Sequence, residues 1–384
     1  MSEFFSDEMR REPYPIYDQI RGAGVLHVPP PFNAWLVLDY AGVKQVLADH
    51  DTFRSSVPAP PNWFIFSDPP RHTKLRNLIS KAFTPRSVAN LEPRIREISR
   101  DLLDVAVQRG SIDLATEYSV PLPMKVIAAM IGIPPADWAR FKRWSDSILK
   151  LSYTRSGGDE AAQASREFAA VTAEMSDYLA EMIAQRRTSP SDDLLTRLIH
   201  AEMDGQHLNH EEILGFFQLL VVGGQETTTN LINNVVLCLI ENPDQRALLA
   251  ASPELLPLAI EEVLRYRSPL QWLMRTPGRD VELHGQVIPA GCLVLAMVGS
   301  ANRDPKQFAE AGRFKIDREP NPHLAFGHGN HVCLGAPLAR LEARIALTDI
   351  FARLKKFELA SSEPWPPRKA LNVHGPESLP IRFS

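Results

Sequence analysis

A single cysteine lies inside a glycine-rich loop near the end of the 384-residue sequence. Residues 326–335 read FGHGNHVCLG, with three glycines around Cys333. Pro337 follows and can begin a helix, so the cysteine would lie at the positive end of a helix dipole, among unpaired amide groups that favour the thiolate. Glycines at this spacing let the backbone come close to a flat partner, and a single thiolate on such a partner indicates a haem iron.

The other two cysteines have no comparable surroundings. Cys238 falls in an apolar helical stretch and Cys292 lies beside a predicted strand, so both are interpreted as small buried hydrophobic residues. No two cysteines have CxxC spacing, which argues against a disulfide framework and against a structural zinc site. This cysteine usage fits a reducing cytoplasm.

A second unusual segment, GGQETT at residues 223–228, lies in the middle of the longest predicted helix. It combines weak helix formers with a side chain that can compete for backbone hydrogen bonds, which should loosen or kink the helix and make room for oxygen and water. A glycine packing notch beside a polar surface patch would use the same residues, and this segment alone does not decide between the two. Together with the cysteine loop, it favours a functional role.

The cysteine loop resembles the haem-binding signature of the cytochrome P450 family, FGxGxHxCxG, at every fixed position. The resemblance implies that Cys333 is the proximal iron ligand, whose electron donation favours cleavage of the O–O bond of bound oxygen. It also implies that Phe326 shields the sulfur and that His331 faces a haem propionate. The resemblance further implies that Gly327, Gly329 and Gly335 permit the tight turn and the close approach to the porphyrin.

The same family carries an acid next to a threonine in its long central helix, and here Glu226 precedes Thr227. By resemblance, Thr227 would hydrogen-bond to oxygen bound at the iron while Glu226 relays protons to it. Gly223 stands where many relatives have alanine, so the haem pocket of this protein would be slightly roomier.

Glu262 and Arg265 are three residues apart on one predicted helix face, where they can pair. Most such pairs are solvated surface contacts. At its distance from the cysteine loop, however, this pair resembles the family's buried ExxR motif, which braces the haem-binding core. The third member of that network normally comes from a PERF-like segment, which reads AGRF at residues 311–314 and makes Arg313 the candidate.

Three further residues stand where the family holds its haem propionates. His72 and Arg76 form an HxxxR pattern, and Arg275 follows Met274. Taken alone, they could equally be ordinary surface charges. The position of His72 and Arg76 between DPP at residues 68–70 and KAFTP at residues 81–85 is similar to the family pattern, and the resemblance implies that all three residues bind propionates.

Apolar segments flank these motifs and border the substrate cavity in the family. Aromatic stripes are more often core than substrate wall, but the small number of charges here predicts an apolar substrate. Fatty acids, terpenoids, steroids and macrolide-like aglycones all remain open. The predicted wall residues are Trp63, Phe64, Phe66, Val222, Leu270, Trp272 and Leu273.

The charge balance and the motifs that are missing limit the partners. The 42 Lys and Arg against 46 Asp and Glu give a formal charge of -4, which argues against nucleic acid as the main partner. The charged N-terminus predicts neither a signal peptide nor a membrane anchor, hence a cytoplasmic protein.

No flavin, iron–sulfur or dinucleotide motif occurs, so electrons from NAD(P)H would arrive through a separate ferredoxin or flavodoxin with its reductase. Arg340 and Arg344 are candidates for steering that protein.

Helical periodicity dominates the sequence, with helices expected over residues 87–107, 161–187, 211–241 and 255–266. Strands are expected at residues 35–38 and within residues 281–298. No linker divides residues 1–384, so a single domain is predicted. The resemblance implies a mainly α fold with small antiparallel sheets, the triangular-prism-like cytochrome P450 fold.

The resulting prediction is a haem-thiolate monooxygenase that inserts one atom of O2 into an apolar small molecule, with haem b as cofactor. Two alternatives stay open. A peroxide-driven haem-thiolate peroxygenase would not need Glu226 and Thr227, at least in its bacterial fatty-acid members. A non-catalytic haem sensor would need no proton delivery at all.

Overall fold

The computed structural model describes residues 6–30, 32–56, 63–153 and 159–384. Helices carry most of the architecture, and shorter 3-10 and π turns join them. The α-helices of the described residues are α1 Asp7–Arg11, α2 Tyr14–Ile20, α3 Tyr40–Ala48, α4 Arg71–Ala82, α5 Pro85–Ala89, α6 Glu92–Val107, α7 Pro121–Ile131, α8 Trp138–Tyr153, α9 Asp159–Thr188, α10 Leu194–His200, α11 His210–Glu241, α12 Pro243–Ala251, α13 Leu256–Tyr266, α14 Val298–Ala301 and α15 Ala336–Arg353.

The strands are short and form small sheets, the largest with the order β1-β2-β10-β7-β3. All the pairings in these sheets are antiparallel except that of β10 with β2. The prediction of a mainly helical fold with small antiparallel sheets is therefore confirmed, with one parallel pair added. The strands are β1 Val25–Val28, β2 Ala34–Val37, β3 Phe53–Arg54, β4 Ser111–Asp113, β5 Glu202–Met203, β6 Gln206–His207, β7 Leu273–Pro277, β8 Val281–Leu283, β9 Gln286–Ile288, β10 Leu293–Ala296, β11 Glu358–Leu359 and β12 Pro380–Arg382.

Helix α11 is the central element, and its ends follow the sequence signals. Asn209 and Glu212 form a reciprocal capping box, with N–H to side-chain oxygen distances of 3.0 and 2.9 Å. The helix ends before Pro243, with Asn242 as its C-cap. It packs against α7, α13 and α15, so almost all of its second half is buried.

Residues 223–228, where a loosened or kinked turn is predicted, lie inside α11, which is continuous from His210 to Glu241. The predicted side chain that competes for a backbone hydrogen bond is Thr227, whose hydroxyl donates to the Gly223 carbonyl at 2.6 Å. Tertiary packing on several sides of the helix outweighs the weak propensity of the two glycines.

One predicted helix is divided in the structure. The segment expected as one helix over residues 87–107 forms α5 and α6, separated at Asn90 and Leu91. Pro93 lies in the first turn of α6, where its missing N–H costs nothing; it could not continue a helix arriving from α5.

The largest apolar cluster surrounds α11 and draws on helices from most of the chain, from Phe64 to Ile381. Two smaller clusters cover the faces of the five-stranded sheet. Across the described ranges, no helix is both long enough and apolar enough to cross a bilayer.

Candidate active site

The cysteine loop is a tight turn that delivers Cys333 to the start of α15. The Cys333 N–H donates to the Phe326 carbonyl at 2.8 Å, which closes the loop. Gly327 has φ +75°, a conformation that favours glycine. Gly335 has φ -80° and needs no such freedom; a Cβ there would lie 3.8 Å from the Cys333 sulfur.

Gly329 has a different role from the one predicted for the loop glycines. Its φ is +71°, and an added Cβ would lie 2.8 Å from the Leu47 carbonyl oxygen and 3.0 Å from the Ala48 Cα. The close approach that this glycine permits is therefore to the end of α3. It packs the cysteine loop against that helix.

Cys333 is accessible to solvent, but many protein atoms lie within a wider radius of its thiol and desolvate it. This desolvation raises the pKa of the thiol, while the amide groups of Gly335 and Ala336 and the charges of Arg76 and Arg340 oppose the rise. Amide hydrogens and cations therefore already surround the position where a thiolate would carry its charge.

A cluster of basic side chains lies beside the loop. The rings of His72 and His331 are 3.9 Å apart, and the Arg76 Nη2 donates to the Val332 carbonyl at 2.6 Å. Arg275 is also buried and donates to the Met274 carbonyl at 2.7 Å. In the described part of the chain, neither ring nitrogen of His72 has a hydrogen-bond partner.

Burial disfavours the charged form of each of these groups. It lowers the pKa of His72 to about 4, that of His331 to about 3 and that of Arg275 to about 10, and neighbouring cations contribute for both histidines. Buried donors without acceptors are costly. A group with anionic carboxylates would satisfy them, so these residues fit the propionates of a haem.

The Glu262–Arg265 pair is buried and bidentate, as predicted, with N–O distances of 2.7 and 2.8 Å and both side chains 0% exposed. Arg265 also donates to the carbonyls of Asn302 and Ala311. This pair fastens α13 to the irregular segment that precedes the cysteine loop.

The assignment of Arg313 to this network is wrong. Its side chain is 71% exposed and pairs with Glu310, and only its carbonyl reaches Arg265, at 3.0 Å. The third member is Arg318, whose Nε lies 3.1 Å from both oxygens of Glu262. The segment turns so that position 313 points outward while position 318 returns to the buried carboxylate.

Glu226 and Thr227 lie in the middle of α11. The Glu226 side chain is buried, and the Thr227 hydroxyl, half-buried, donates to the Gly223 carbonyl. Gly223 is exposed, and a Cβ added to it would meet no protein atom within 4 Å. At Gly224 the added atom would lie 2.7 Å from the Ile127 Cδ1. The open side of the helix is thus the one that carries Gly223.

Three of the predicted wall residues connect α11 to the basic side chains beside the cysteine loop. The Trp63 Nε1 donates to the Gln218 Oε1 at 3.0 Å, and Phe66 stacks on Trp63 at 5.8 Å. Phe64 contacts both Phe216 and His72, with ring centroids 6.1 and 5.8 Å apart. These aromatic residues link the central helix to the cluster beside Cys333.

The remaining wall residues do not all gather at one place. Val222 packs against the large apolar cluster, as Trp63 does, and Leu273 lies beside the cysteine loop, 3.8 Å from where a Gly327 Cβ would be. Leu270 bridges to Val373. Trp272 packs with the N-terminal cluster on another face of the sheet, so the structure does not bring it together with the other aromatic residues.

Gln218 belongs to the site but was not predicted, although the sequence contains a signal for it. It is the one polar side chain in the apolar stretch at residues 213–222, and in the structure it is 4% exposed. Its Nε2 donates to the Thr172 Oγ1 at 3.0 Å, so it joins Trp63 to α9. Arg318 had no sequence signal, because nothing in its spacing marks it as buried.

The chain is similar to known proteins over most of its length. A family model described as Cytochrome P450 matches residues 162–378. Putative cytochrome P450 YjiB of Bacillus subtilis (strain 168) is 42% identical over 357 residues, which cover 92% of this chain and 90% of that protein.

Solved structures agree with this match. The crystal structure of CYP109E1 from Bacillus megaterium in complex with testosterone has a TM-score of 0.90 at 40% identity, covering 97% of this chain and 99% of that one. The structure of P450BioI in complex with an acyl carrier protein ligated to hexadec-9Z-enoic acid has a TM-score of 0.91 at 34% identity, covering 98% of this chain and 99% of that one.

Proposed function

The chain belongs to the cytochrome P450 family, and we propose that Cys333 would hold the iron of its haem b and that its substrate is an apolar small molecule. Members of the family are monooxygenases that use a haem with a cysteine thiolate, O2, and electrons from NAD(P)H delivered by redox partners. The residue roles below are proposed for this chain within that activity.

One observation carries the assignment of the haem site. An exposed thiol at the N-terminus of α15 lies next to a cluster of basic side chains, in which His72 has no hydrogen-bond partner on either ring nitrogen. When bound, the haem supplies the iron at which O2 is activated for insertion of one oxygen atom into the substrate. Cys333 would hold the iron, and the residues that would hold the propionates are His72, Arg76, Arg275 and His331.

Proton delivery is assigned to Glu226 and Thr227. Because the Thr227 hydroxyl donates its hydrogen to the Gly223 carbonyl, its oxygen keeps lone pairs that can accept a hydrogen bond from a protonated neighbour. Glu226 is a buried carboxyl one residue away and can pass a proton from the interior of the protein. The threonine would hold the proton donor in place, and the acid would resupply it.

An apolar substrate is supported by the residues that connect α11 to the cysteine loop. Trp63, Phe66 and Val222 are only partly buried by other protein atoms, so they present apolar surface. The relatives were solved with testosterone and with a hexadecenoic acid on its carrier protein. Steroid-like and fatty-acyl substrates are therefore the first to test, followed by terpenoid and macrolide-like skeletons.

A ferredoxin or flavodoxin with its reductase is proposed as the electron donor. Arg340 and Arg344 are less suited to steering it than the sequence indicated, because they pair with Glu261 and Glu92 in the structure. Steering by these two arginines would be weaker than their charge alone implies.

The test is an optical titration of the purified ferric protein with fatty acids, steroids and terpenoids, watching for the low-spin to high-spin shift as substrate binds. A saturable shift in the parent protein, together with loss of the thiolate-haem spectrum in C333S and its retention in C292S, is expected. Absence of bound haem in the parent would overturn the role of Cys333. Turnover with hydrogen peroxide, and none with O2, ferredoxin and reductase, would favour the peroxygenase alternative.

A further inference from the structure

Glu261, the neighbour of the buried Glu262, accepts hydrogen bonds from two cationic or basic side chains beside the cysteine loop. Arg340 donates from Nε and Nη2 at 2.6 and 2.8 Å, which is the bidentate geometry of a strong ion pair. The His323 Nε2 lies 3.0 Å from the same carboxylate. Burial would raise the pKa of Glu261, but these partners outweigh it and lower the pKa to about 2.

The charges of the Glu261 carboxylate and the Arg340 guanidinium balance each other. The second nitrogen of His323, Nδ1, accepts a hydrogen bond from the Ala325 N–H at 3.3 Å, which leaves Nε2 to face Glu261. The His323 ring is therefore fixed between the backbone just before the cysteine loop and the carboxylate.

The cluster holds the aromatic residue that starts the cysteine loop. The Arg340 guanidinium lies over the Phe326 ring, 4.5 Å from its centroid, and the His323 ring is 6.0 Å from it. The Phe326 carbonyl in turn accepts the hydrogen bond from the Cys333 N–H. Glu261 thus fixes a cation against the backbone turn that presents the thiol.

We infer that Glu261 is a positioning residue that neutralises Arg340 and holds it over Phe326, and that it thereby sets the reduction potential of an iron bound to Cys333. The inference rests on the proposed role of Cys333. A nearby cation whose charge is not balanced stabilises a thiolate and disfavours the more positive ferric iron. The couple is ferric iron plus one electron to ferrous iron, and no atom moves.

The prediction is a pattern of reduction potentials in the parent and three variants, measured by dithionite titration of the haem protein with mediator dyes. E261Q leaves Arg340 unbalanced and is expected to favour the ferrous form roughly tenfold at a fixed potential, about 59 mV for a one-electron couple. R340Q leaves Glu261 unbalanced and should shift the potential the other way. The double variant E261Q/R340Q is neutral again and should return close to the parent.

The control is a similar ion pair farther along α15. Arg344 pairs with Glu92 at 3.0 Å, one helical turn beyond Arg340 from Cys333. In E92Q the ratio of ferrous to ferric protein at a fixed potential should stay within about twofold of the parent ratio. Because Arg340 is 43% exposed, the shift in E261Q should also shrink in high salt, which a purely structural effect would not do.

Failure of this inference differs visibly from failure of the haem site. A ferrous carbon monoxide difference spectrum typical of thiolate ligation in all variants shows that Cys333 still holds the iron. With that spectrum intact, equal potentials in the parent and E261Q, or a double variant shifted as far as either single one, would overturn the role of Glu261. Loss of the thiolate spectrum in the parent would instead overturn the proposed function.

Discussion

The Nε atom of Arg318 lies 3.1 Å from each carboxylate oxygen of Glu262, whose side chain is 0% exposed. Arg265 also pairs with this carboxylate, which therefore accepts hydrogen bonds from two guanidinium groups. Asn321 and the Lys315 N–H also donate to it. The buried acid is thus the point at which α13 and the segment before the cysteine loop are fastened together.

Removing Arg318 should therefore be costly. R318A removes the Arg318 hydrogen bonds to Glu262, which keeps its bidentate pair with Arg265, and we expect the free energy of unfolding to fall by about 2 kcal/mol, with poorer haem retention. R313A is the matched control, since that side chain is 71% exposed and only its carbonyl enters the network. A denaturant titration that found the two variants equally stable would contradict the placement of Arg318.

Replacing Thr227 by valine tests proton delivery without a change of shape. T227V removes the hydroxyl that bonds to the Gly223 carbonyl, and we expect product per NADH to fall roughly tenfold while hydrogen peroxide release rises. T228V is the control on a buried position of the same helix. Unchanged product per NADH in T227V, in a system that makes product, would contradict the assigned role and favour a haem sensor.

The two glycines of α11 should respond differently to alanine. At Gly223 the added methyl group meets no protein atom within 4 Å, so G223A should gain up to about 1 kcal/mol in helix propensity. G224A would bring its Cβ within 2.7 Å of the Ile127 Cδ1, and that clash should cancel the gain. Thermal unfolding of the two variants measures the difference; a lower Tm for G223A than for G224A would be the contrary result.

His374 gives stability a defined dependence on pH. Burial lowers the pKa of this histidine to about 3, against 6.5 for a free side chain, so the folded state keeps it neutral. Its contribution is complete above pH 6.5 and is lost as the pH falls, because the unfolded chain then binds the proton. Between pH 7.5 and pH 5 the loss should be roughly 2 kcal/mol.

The variant H374Q isolates this effect in urea unfolding at both pH values. The parent should lose about 2 kcal/mol more than H374Q between them. The exposed His200 supplies the control, since H200Q should behave as the parent does. Equal losses in the parent and H374Q would mean that His374 is not held neutral.

Local signals in the sequence predicted the parts of the site that depend on neighbours along the chain. The capping box of Asn209, the turn around Cys333 and the i,i+3 pair of Glu262 with Arg265 are all of this kind. Arg318 could not be predicted, because which side chain of an irregular segment turns inward depends on its tertiary path. The continuity of α11 through its two glycines likewise depends on packing, which outweighs propensity.

The parallel pair of β2 with β10 joins residues far apart in the sequence. Leu36 lies opposite Leu295, more than 250 residues later, and β10 is the strand that connects β1 and β2 to the rest of the sheet. During synthesis on the ribosome at about 5 to 20 residues per second, the N-terminal hairpin would wait roughly ten seconds or longer for its partner strand. Until β10 is synthesised, the edge of β2 that it will cover is open to pairing with other strands.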